Sequence, residues 1–262
     1  MTPSSPYASL KPFALCDGIL YGPIPTRRTG LSLGINLLPP GVKLCSFNCV
    51  YCQCGWSTIR PADVERKRLA YPSPGRIVEE TETGFRALSA RGVLPDTITL
   101  SGNGEPTLHP EFDRAVEAIV RSRDRFLPKA RTNALSDGTE LHRPEVVRGL
   151  RLLDERHMKL DAGARKVNLP LVPFDDVAYA ERLASLGDVV VQAFFCRGAV
   201  DNTGEAAVGA WLERVKRAQP RRVDLMSLDR VPAAEGLVRV PREDLEAIAA
   251  RVRAAGIPAE VY

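Results

Sequence analysis

Four of the six cysteines of this chain fall between positions 45 and 54. Cys45, Cys49 and Cys52 have the spacing C-x₃-C-x₂-C, and Cys54 follows two residues later. Three thiolates this close in sequence can hold one face of a compact iron–sulfur cluster and leave one iron open to another ligand. Zinc usually takes four ligands, in two separated pairs or with histidine, and the three histidines of the chain are scattered. The segment therefore indicates an iron–sulfur site, and a structural zinc knuckle is the alternative interpretation.

A second polar segment, Gly102-Asn103-Gly104-Glu105, follows the short apolar strand predicted at 96–101. Glycines allow the backbone to come close to a ligand, and the Glu105 carboxylate offers an acceptor for a ligand ammonium. The same residues also form a good turn with a solvent-facing glutamate. Their place after the next predicted strand beyond the cysteines favours the binding interpretation.

Apolar patterns typical of strands and of helices alternate along the chain, six times over. Strands are predicted at 31–38, 96–101, 127–132, 156–161, 188–195, 222–228 and 259–262. Helices are predicted at 74–91, 110–124, 139–150, 175–186, 205–218 and 241–255. This alternation predicts parallel strands joined by helical crossovers, and the nearly continuous apolar run at 188–195 suits a sheet buried on both faces. The expected fold class is α/β, either a partial (β/α)₆ barrel or a doubly wound sheet, with a parallel sheet and outer helices.

The domain organisation is expected to be simple. Residues 1–30 are rich in proline, glycine and serine, which predicts an N-terminal extended arm. Residues 31–262 contain no linker, charge block or shift in composition, so they are expected to form a single domain.

Polar residues mark the ends of several predicted strands, where folds of this class bind their ligands. Asn133, Asp161 and Gln192 end the third, fourth and fifth predicted strands. There they can hydrogen-bond a ribose or the substrate, and helix capping or turn formation is the alternative for Asn133 and Asp161. Lys159 precedes Asp161 by two residues, so both point to the same face of their strand. If that face is interior, Lys159 is a buried cation paired with Asp161.

The cysteine spacing, the aromatic Tyr51 before the third cysteine and the position after the first strand resemble the radical S-adenosylmethionine (radical SAM) superfamily. The wider strings 30–36 and 45–53 resemble a narrower set within it, the Fe–S oxidoreductases grouped with the wybutosine-synthesis enzymes. Judged by the order of motifs, the resemblance extends over about residues 20 to 255. It implies the partial barrel, a 4Fe–4S cluster on the three cysteines of the motif, and SAM on the open iron.

The resemblance also implies roles for individual residues. SAM binds the open iron through its amino and carboxylate groups, with Tyr51 against the adenine. The segment 102–105 resembles the glycine-rich segment that binds the SAM amino group. Because three cysteines satisfy the superfamily's pattern, Cys54 is expected to be a pocket-wall or incidental thiol. As a fourth ligand it would close the cluster and favour a non-catalytic iron–sulfur electron-transfer protein.

The function that the resemblance implies is reductive cleavage of SAM. A flavodoxin or ferredoxin-type donor supplies one electron, and the resulting 5′-deoxyadenosyl radical takes a hydrogen atom from an unidentified substrate. The alternative substrate is a base in transfer RNA, as in wybutosine synthesis, with Lys159 as a substrate-binding lysine. Wybutosine synthases carry a second set of three cysteines upstream, whereas only Cys16 precedes the motif here. Otherwise Cys16 and Cys196 are expected to be small buried residues.

Composition sets the remaining expectations. The chain has 36 Lys and Arg against 32 Asp and Glu, a net charge of +4 that permits contact with RNA without requiring it. Basic runs at 27–28, 66–68 and 221–222 are the candidate phosphate contacts, and a solvated surface is the alternative. No apolar stretch approaches the ~20 residues that span a bilayer, and no signal peptide is evident. We therefore expect a cytoplasmic protein without membrane contact.

Overall fold

The structure is a computed structural model that describes residues 13–65 and 67–262. The first twelve residues of the predicted arm, and Arg66 of one basic run, lie outside the described residues. The strands are β1 (Leu20–Thr26), β2 (Gly30–Ile35), β3 (Phe47–Cys49), β4 (Thr97–Leu100), β5 (Arg131–Ser136), β6 (Glu155–Lys159), β7 (Asn168–Pro170), β8 (Val189–Phe194), β9 (Cys196–Gly198), β10 (Arg222–Met226), β11 (Leu237–Arg239) and β12 (Ala259–Val261). The helices are α1 (Pro74–Ala90), α2 (Phe112–Phe126), α3 (Pro144–Arg151), α4 (Ala164–Val167), α5 (Asp176–Leu186), α6 (Glu205–Ala218) and α7 (Arg242–Ala254).

The chain forms two compact units, named here the first unit and the second unit. The first unit contains Leu15–Cys45 and Ile59–Met158, and the second contains Ser46–Thr58 and Lys159–Tyr262. The cysteine motif therefore begins in the first unit, with Cys45, and continues in the second, with Cys49 and Cys52. The expectation of a single domain over 31–262 stays a prediction.

The sheet of the first unit is built from β2, β4, β5 and β6, which run parallel in that order. Its apolar face carries Leu33 in register with Ile98, and both side chains are buried. Helices α1, α2 and α3 pack successively against one another. The opposite face is polar, since Ser32 Oγ lies 2.8 Å from Thr99 Oγ1. Alternation of apolar and hydroxyl side chains thus separates the helix-covered core from a polar face.

The second half of the predicted extended arm contributes a strand to the sheet. Leu20–Thr26 forms β1, which pairs antiparallel with β2 at the edge of the sheet. The register shifts between Tyr21 and Ile24, where Gly22 and Pro23 stand. Proline is tolerated at edge strands and bulges because no ladder hydrogen bond is lost there. The prolines that predicted a loop are therefore accommodated in a paired strand.

The second unit has its own parallel strands, β8, β10 and β12. The apolar run of β8 is fully buried, at Val189, Val190, Val191 and Ala193. This confirms the predicted strand with both faces covered. Two short antiparallel pairs, β3 with β7 and β9 with β11, were not predicted from the sequence. Each of these strands has three residues, too few to show a periodic pattern.

The predicted α/β class, with a largely parallel sheet flanked by helices, is confirmed. In neither unit do the described strands close into a barrel. Two predicted elements have boundaries that are wrong by four residues or more: the strand expected at 127–132 is β5 at Arg131–Ser136, and the helix expected at 139–150 begins at Pro144. Proline is preorganised for the first helical position, which explains the later start of α3. No helix among the described residues has both the length and the apolarity to cross a bilayer.

Candidate functional site

In the first unit, the segment Gly102–Glu105, called here the glycine loop, lies directly against the residue that precedes the first cysteine. The Leu44 N–H donates to the Asn103 carbonyl at 2.8 Å, and the Glu105 N–H donates to the Leu44 carbonyl at 3.0 Å. A Cβ atom on Gly104 would lie 1.8 Å from the Leu44 oxygen and 3.2 Å from the Cys45 Cβ. Only glycine permits this approach, and its φ of +139° is also one that glycine favours. The structure therefore brings the glycine loop and Cys45 together.

Glu105 is an anchor inside this loop. Its carboxylate is 2% exposed and accepts hydrogen bonds from Thr107 N at 3.0 Å, Thr107 Oγ1 at 2.5 Å, Ser136 Oγ at 2.8 Å and Asp137 N at 2.6 Å. These contacts cap the short 3₁₀ turn Pro106–Leu108 and tie the loop to the end of β5. The predicted contact of Glu105 with the amino group of SAM stays a prediction, and any such contact adds to four internal ones.

The electrostatics around Glu105 favour a cationic neighbour. Burial and the nearby Asp137 carboxyl raise the pKa of Glu105 to about 8, while hydrogen bonds from Asp137 and Thr107 act in the opposite direction. The Cys45 thiol donates to Asp137 Oδ2 at 3.7 Å. Cys45, Asp137 and Glu105 thus form a continuous series of contacts. A positive group bound beside it would favour the ionised form of the pair.

The Asn103 side chain makes its hydrogen bonds within the protein. It accepts from the Cys16 N–H at 2.7 Å and donates to the carbonyls of Cys16, at 2.8 Å, and Pro39, at 3.2 Å. These three hydrogen bonds hold the glycine loop against the backbone at Cys16 and Pro39. Gly102 lies close to Asn36, whose Oδ1 accepts from the Asn103 N–H at 3.1 Å. Cys16 is buried, as expected.

Asn133 lies within β5 instead of ending a strand, because the strand begins four residues later than predicted. Its side chain is 1% exposed, and within the described residues neither its Nδ2 nor its Oδ1 has a hydrogen-bond partner. It stands in register with Thr99 and Glu155 on neighbouring strands. A buried amide without partners is costly and calls for a ligand or water that completes it. The predicted role of Asn133 in cofactor binding stays a prediction.

In the second unit, Tyr51 is the centre of a polar network. Its hydroxyl donates to Asp161 Oδ2 and accepts from Lys159 Nζ at 2.6 Å. Its ring stacks on Phe194, with centroids 3.8 Å apart and planes 15° from parallel. Burial and the Asp161 charge raise the pKa of Tyr51 well above its usual value, so the hydroxyl keeps its proton and remains a donor.

Asp161 follows β6 by two residues and is 2% exposed. Its Oδ1 accepts from the Phe194 N–H at 2.7 Å, and its Oδ2 lies 3.9 Å from Lys159 Nζ. The expected pairing of Lys159 with Asp161 is therefore present. Gln192 lies inside β8, not at its end, and within the described residues its Nε2 is buried without a partner.

Cys49 is buried and has a neighbour that the sequence did not indicate. β3 pairs with β7 so that Cys49 faces Asn168, whose Nδ2 donates to Cys49 Sγ at 3.2 Å. Burial raises the pKa of the Cys49 thiol to about 11, although the Lys159 ammonium acts in the opposite direction. The thiol is thus protonated at neutral pH and must release its proton when it binds a metal. Asn168 belongs to no sequence motif, and it reaches the Cys49 sulfur because β7 pairs antiparallel with β3.

The remaining cysteines lie on a turn and in the core. The Cys52 N–H donates to the Cys49 carbonyl at 3.0 Å, and the Gly55 N–H donates to the Cys52 carbonyl at 3.1 Å. Cys52 and Cys54 are partly exposed, and Cys196 is buried as expected. Among the described residues, no group of three His, Cys, Asp or Glu side chains is gathered at metal-binding distances.

The residues nevertheless fit the two cofactors that the sequence implies. All six cysteines are free thiols, and three of them have the local spacing that iron–sulfur clusters use. The backbone of the glycine loop lies close to Cys45. Asn133 and Gln192 each have buried amide atoms without a hydrogen-bond partner among the described residues. The donor chemistry therefore suits a thiolate-ligated cluster and a polar ligand with hydrogen-bonding groups.

Comparisons with known proteins agree with this chemistry. The family model of the radical SAM superfamily matches residues 41–188. A UPF0026 protein of Helicobacter pylori is 27% identical over 224 residues, covering 81% of this chain and 67% of that protein. A radical SAM methyltransferase from Sphaerobacter thermophilus gives a TM-score of 0.60 at 18% identity, covering 88% of this chain and 65% of that one. Streptococcus suis SuiB bound to S-adenosylmethionine gives 0.57 at 13% identity, covering 87% and 50%.

The match to the family model covers more than half of the chain, so the chain belongs to the radical SAM superfamily. Members of this superfamily bind a 4Fe–4S cluster and SAM. The two solved structures show a shared fold, and this chain spans half to about two thirds of their length.

The close approach of Gly104 to Leu44 predicts a large effect of one methyl group. Gly104→Ala must displace the Leu44 carbonyl and adopt a strained φ, so we expect a loss of about 2–4 kcal/mol in the free energy of unfolding. Gly209→Ala in α6 is the matched control, because a Cβ there meets nothing within 4 Å; it should gain roughly 0.5–1 kcal/mol. Urea unfolding measures both, and equal midpoints for Gly104→Ala and wild type would contradict the close approach.

The raised pKa of Glu105 predicts a pH dependence of stability. A folded-state pKa of about 8 means that the folded chain holds this proton more tightly than the unfolded chain does. The resulting stabilisation is complete below about pH 4.5 and is lost as pH rises to about 8. Relative to Glu105→Gln, which has no such proton, wild type should lose about 1 kcal/mol or more over this range. Parallel stability profiles of the two proteins would show that folding does not raise the pKa of the Glu105 carboxyl.

Proposed function

We propose that the chain is a radical SAM enzyme in which Cys45, Cys49 and Cys52 hold the 4Fe–4S cluster. The observation that carries the proposal is the position of the glycine loop, which Leu44 fixes beside the first cysteine of the motif. An electron carrier has no need of such a loop, because its cluster takes no organic ligand. The loop therefore favours the enzyme over the electron-transfer alternative.

When bound, the reduced cluster and SAM supply cleavage of the C5′–S bond and a 5′-deoxyadenosyl radical that takes hydrogen from a substrate. The chain provides the thiolates, the polar contacts and the shape. The backbone of Gly102–Glu105 is proposed to receive the amino group of SAM. Tyr51 is proposed to lie against the adenine, with its ring held by Phe194 and its hydroxyl fixed by Asp161 and Lys159.

Asn133 and Gln192 are proposed to bind the ribose or the substrate. Within the described residues, both amide atoms of Asn133 and the Nε2 atom of Gln192 are buried without a partner. Asp161, by contrast, already accepts several hydrogen bonds, so its proposed role is to hold Tyr51 and Phe194 in place. The electron is proposed to come from a flavodoxin or ferredoxin-type protein in the cytoplasm, where cysteines stay reduced.

Transfer RNA as the substrate stays a prediction. Of the basic runs, Arg221 and Arg222 are paired with Asp188 and Asp224 at 3.5 and 2.6 Å, so their charge is partly neutralised. RNA held through phosphates must dissociate as salt is raised. Binding at low salt that vanishes at high salt would support this substrate class, and an absence of binding at low salt would exclude it.

Anaerobic reconstitution tests the proposed function. Wild-type protein supplied with iron and sulfide should bind about four of each, and with dithionite and SAM it should release 5′-deoxyadenosine and methionine. Cys49→Ala should lose the cluster, whereas Cys54→Ala should keep both the cluster and SAM cleavage. Cys196→Ala is the matched control, since this buried cysteine lies outside the motif.

Two results would overturn the proposal. A colourless wild-type protein that holds stoichiometric zinc after the same treatment would restore the zinc-knuckle interpretation. Loss of the cluster in Cys54→Ala as complete as in Cys49→Ala would show a closed, four-cysteine site and favour the electron carrier.

A further inference from the structure

One proposed cluster ligand has a protein N–H donor on its sulfur. Asn168 Nδ2 lies 3.2 Å from Cys49 Sγ, and the Asn168 side chain is only 4% exposed. The contact is built into the backbone, because β7 pairs antiparallel with β3 and places Asn168 directly opposite Cys49. In a buried setting such a hydrogen bond is not weakened by competing water.

The orientation of the Asn168 amide is fixed by a carboxylate. The same Nδ2 donates to Asp161 Oδ2 at 2.8 Å, so one of its two hydrogens is directed to that oxygen. The reversed orientation would place the amide oxygen against the Asp161 carboxylate, and two acceptors repel. The second hydrogen is directed to Cys49 Sγ at 3.2 Å, and the Tyr51 hydroxyl oxygen lies farther from the same Nδ2, at 3.4 Å. Asp161 is itself held by Tyr51 and by the Phe194 N–H, so the orientation is determined on every side.

We infer that Asn168 is a positioning residue that sets the reduction potential of the cluster through its hydrogen bond to Cys49. The inference rests on the proposed function, because it requires Cys49 to ligate the cluster. Reduction adds negative charge that spreads onto the cysteine sulfurs, and an N–H donor stabilises that charge. Hydrogen bonds to ligand atoms are among the main means by which a protein tunes a metal centre. Asn168 thus makes the cluster easier to reduce.

The direct test is the midpoint potential of the reconstituted cluster, followed by its visible absorbance during redox titration. Asn168→Leu keeps a similar volume and removes the donor. We expect it to keep its irons and to lower the equilibrium constant for reduction about tenfold, a shift of about 59 mV to more negative potential for one electron. Leu169→Ala is the matched control, because that neighbouring side chain is 41% exposed; its potential should equal that of wild type.

A second variant, Asn168→Ala, keeps the inference testable if leucine does not fit the buried position. It should shift the potential in the same direction. A potential equal to that of wild type in a folded Asn168 variant with a full complement of iron would overturn the inference. Loss of the cluster from both variants, with their folds intact by circular dichroism, would also overturn it, since Asn168 would then be needed for assembly. Absence of a cluster from wild type would instead overturn the proposed function.

Discussion

The contact between Gly104 and the Leu44 carbonyl is the constraint on which the first unit's part of the site depends. With a Cβ position only 1.8 Å from that oxygen, the two backbone segments are too close for any residue except glycine at position 104. This closeness lets Leu44 exchange hydrogen bonds with both Asn103 and Glu105, so the residue before Cys45 becomes part of the glycine loop. The position of the first cysteine and the shape of the loop are therefore determined together.

The polar side chains of the glycine loop make their hydrogen bonds within the protein and hold the loop in place. Asn103 hydrogen-bonds the backbone before β1, at Cys16, and after β2, at Pro39. Glu105 accepts two hydrogen bonds from Thr107 and two from the end of β5, at Ser136 and Asp137. Burying the Glu105 carboxyl beside Asp137 is unfavourable without these donors. What the loop leaves for a ligand is chiefly its backbone, together with a local charge that favours a cation.

In the second unit, a buried carboxylate, that of Asp161, positions the side chains around it. Asp161 is almost fully buried, and such a carboxylate is stable only when its lone pairs are occupied. Tyr51, Asn168 and the Phe194 N–H occupy them, with Lys159 as the counter-ion. Hydrogen bonds to the one carboxylate therefore fix the positions of Tyr51, Phe194 and Asn168 relative to one another.

The sequence was sufficient where patterns are long or local. The apolar run of β8 predicts a buried strand, and the alternation of strands and helices predicts the α/β class. The cysteine spacing predicts a cluster because the ligands are neighbours in the chain. Asn168 could not be predicted, because strands of three residues carry no pattern and its role comes from pairing with β3. The position of Asn133 is predicted wrongly, because apolar residues just before Arg131 extend the strand pattern towards the N-terminus. In the structure the backbone before Arg131 forms a turn, and the strand continues past Asn133.

The central claim is that three cysteines hold a cluster with one iron open to SAM. Mössbauer spectra of the ⁵⁷Fe-reconstituted protein, recorded with and without SAM, test it most directly. The account predicts that one of the cluster irons changes its isomer shift and quadrupole splitting when SAM is added, while the others do not. Spectra in which every iron is unaffected by saturating SAM, with the cluster intact, would contradict it.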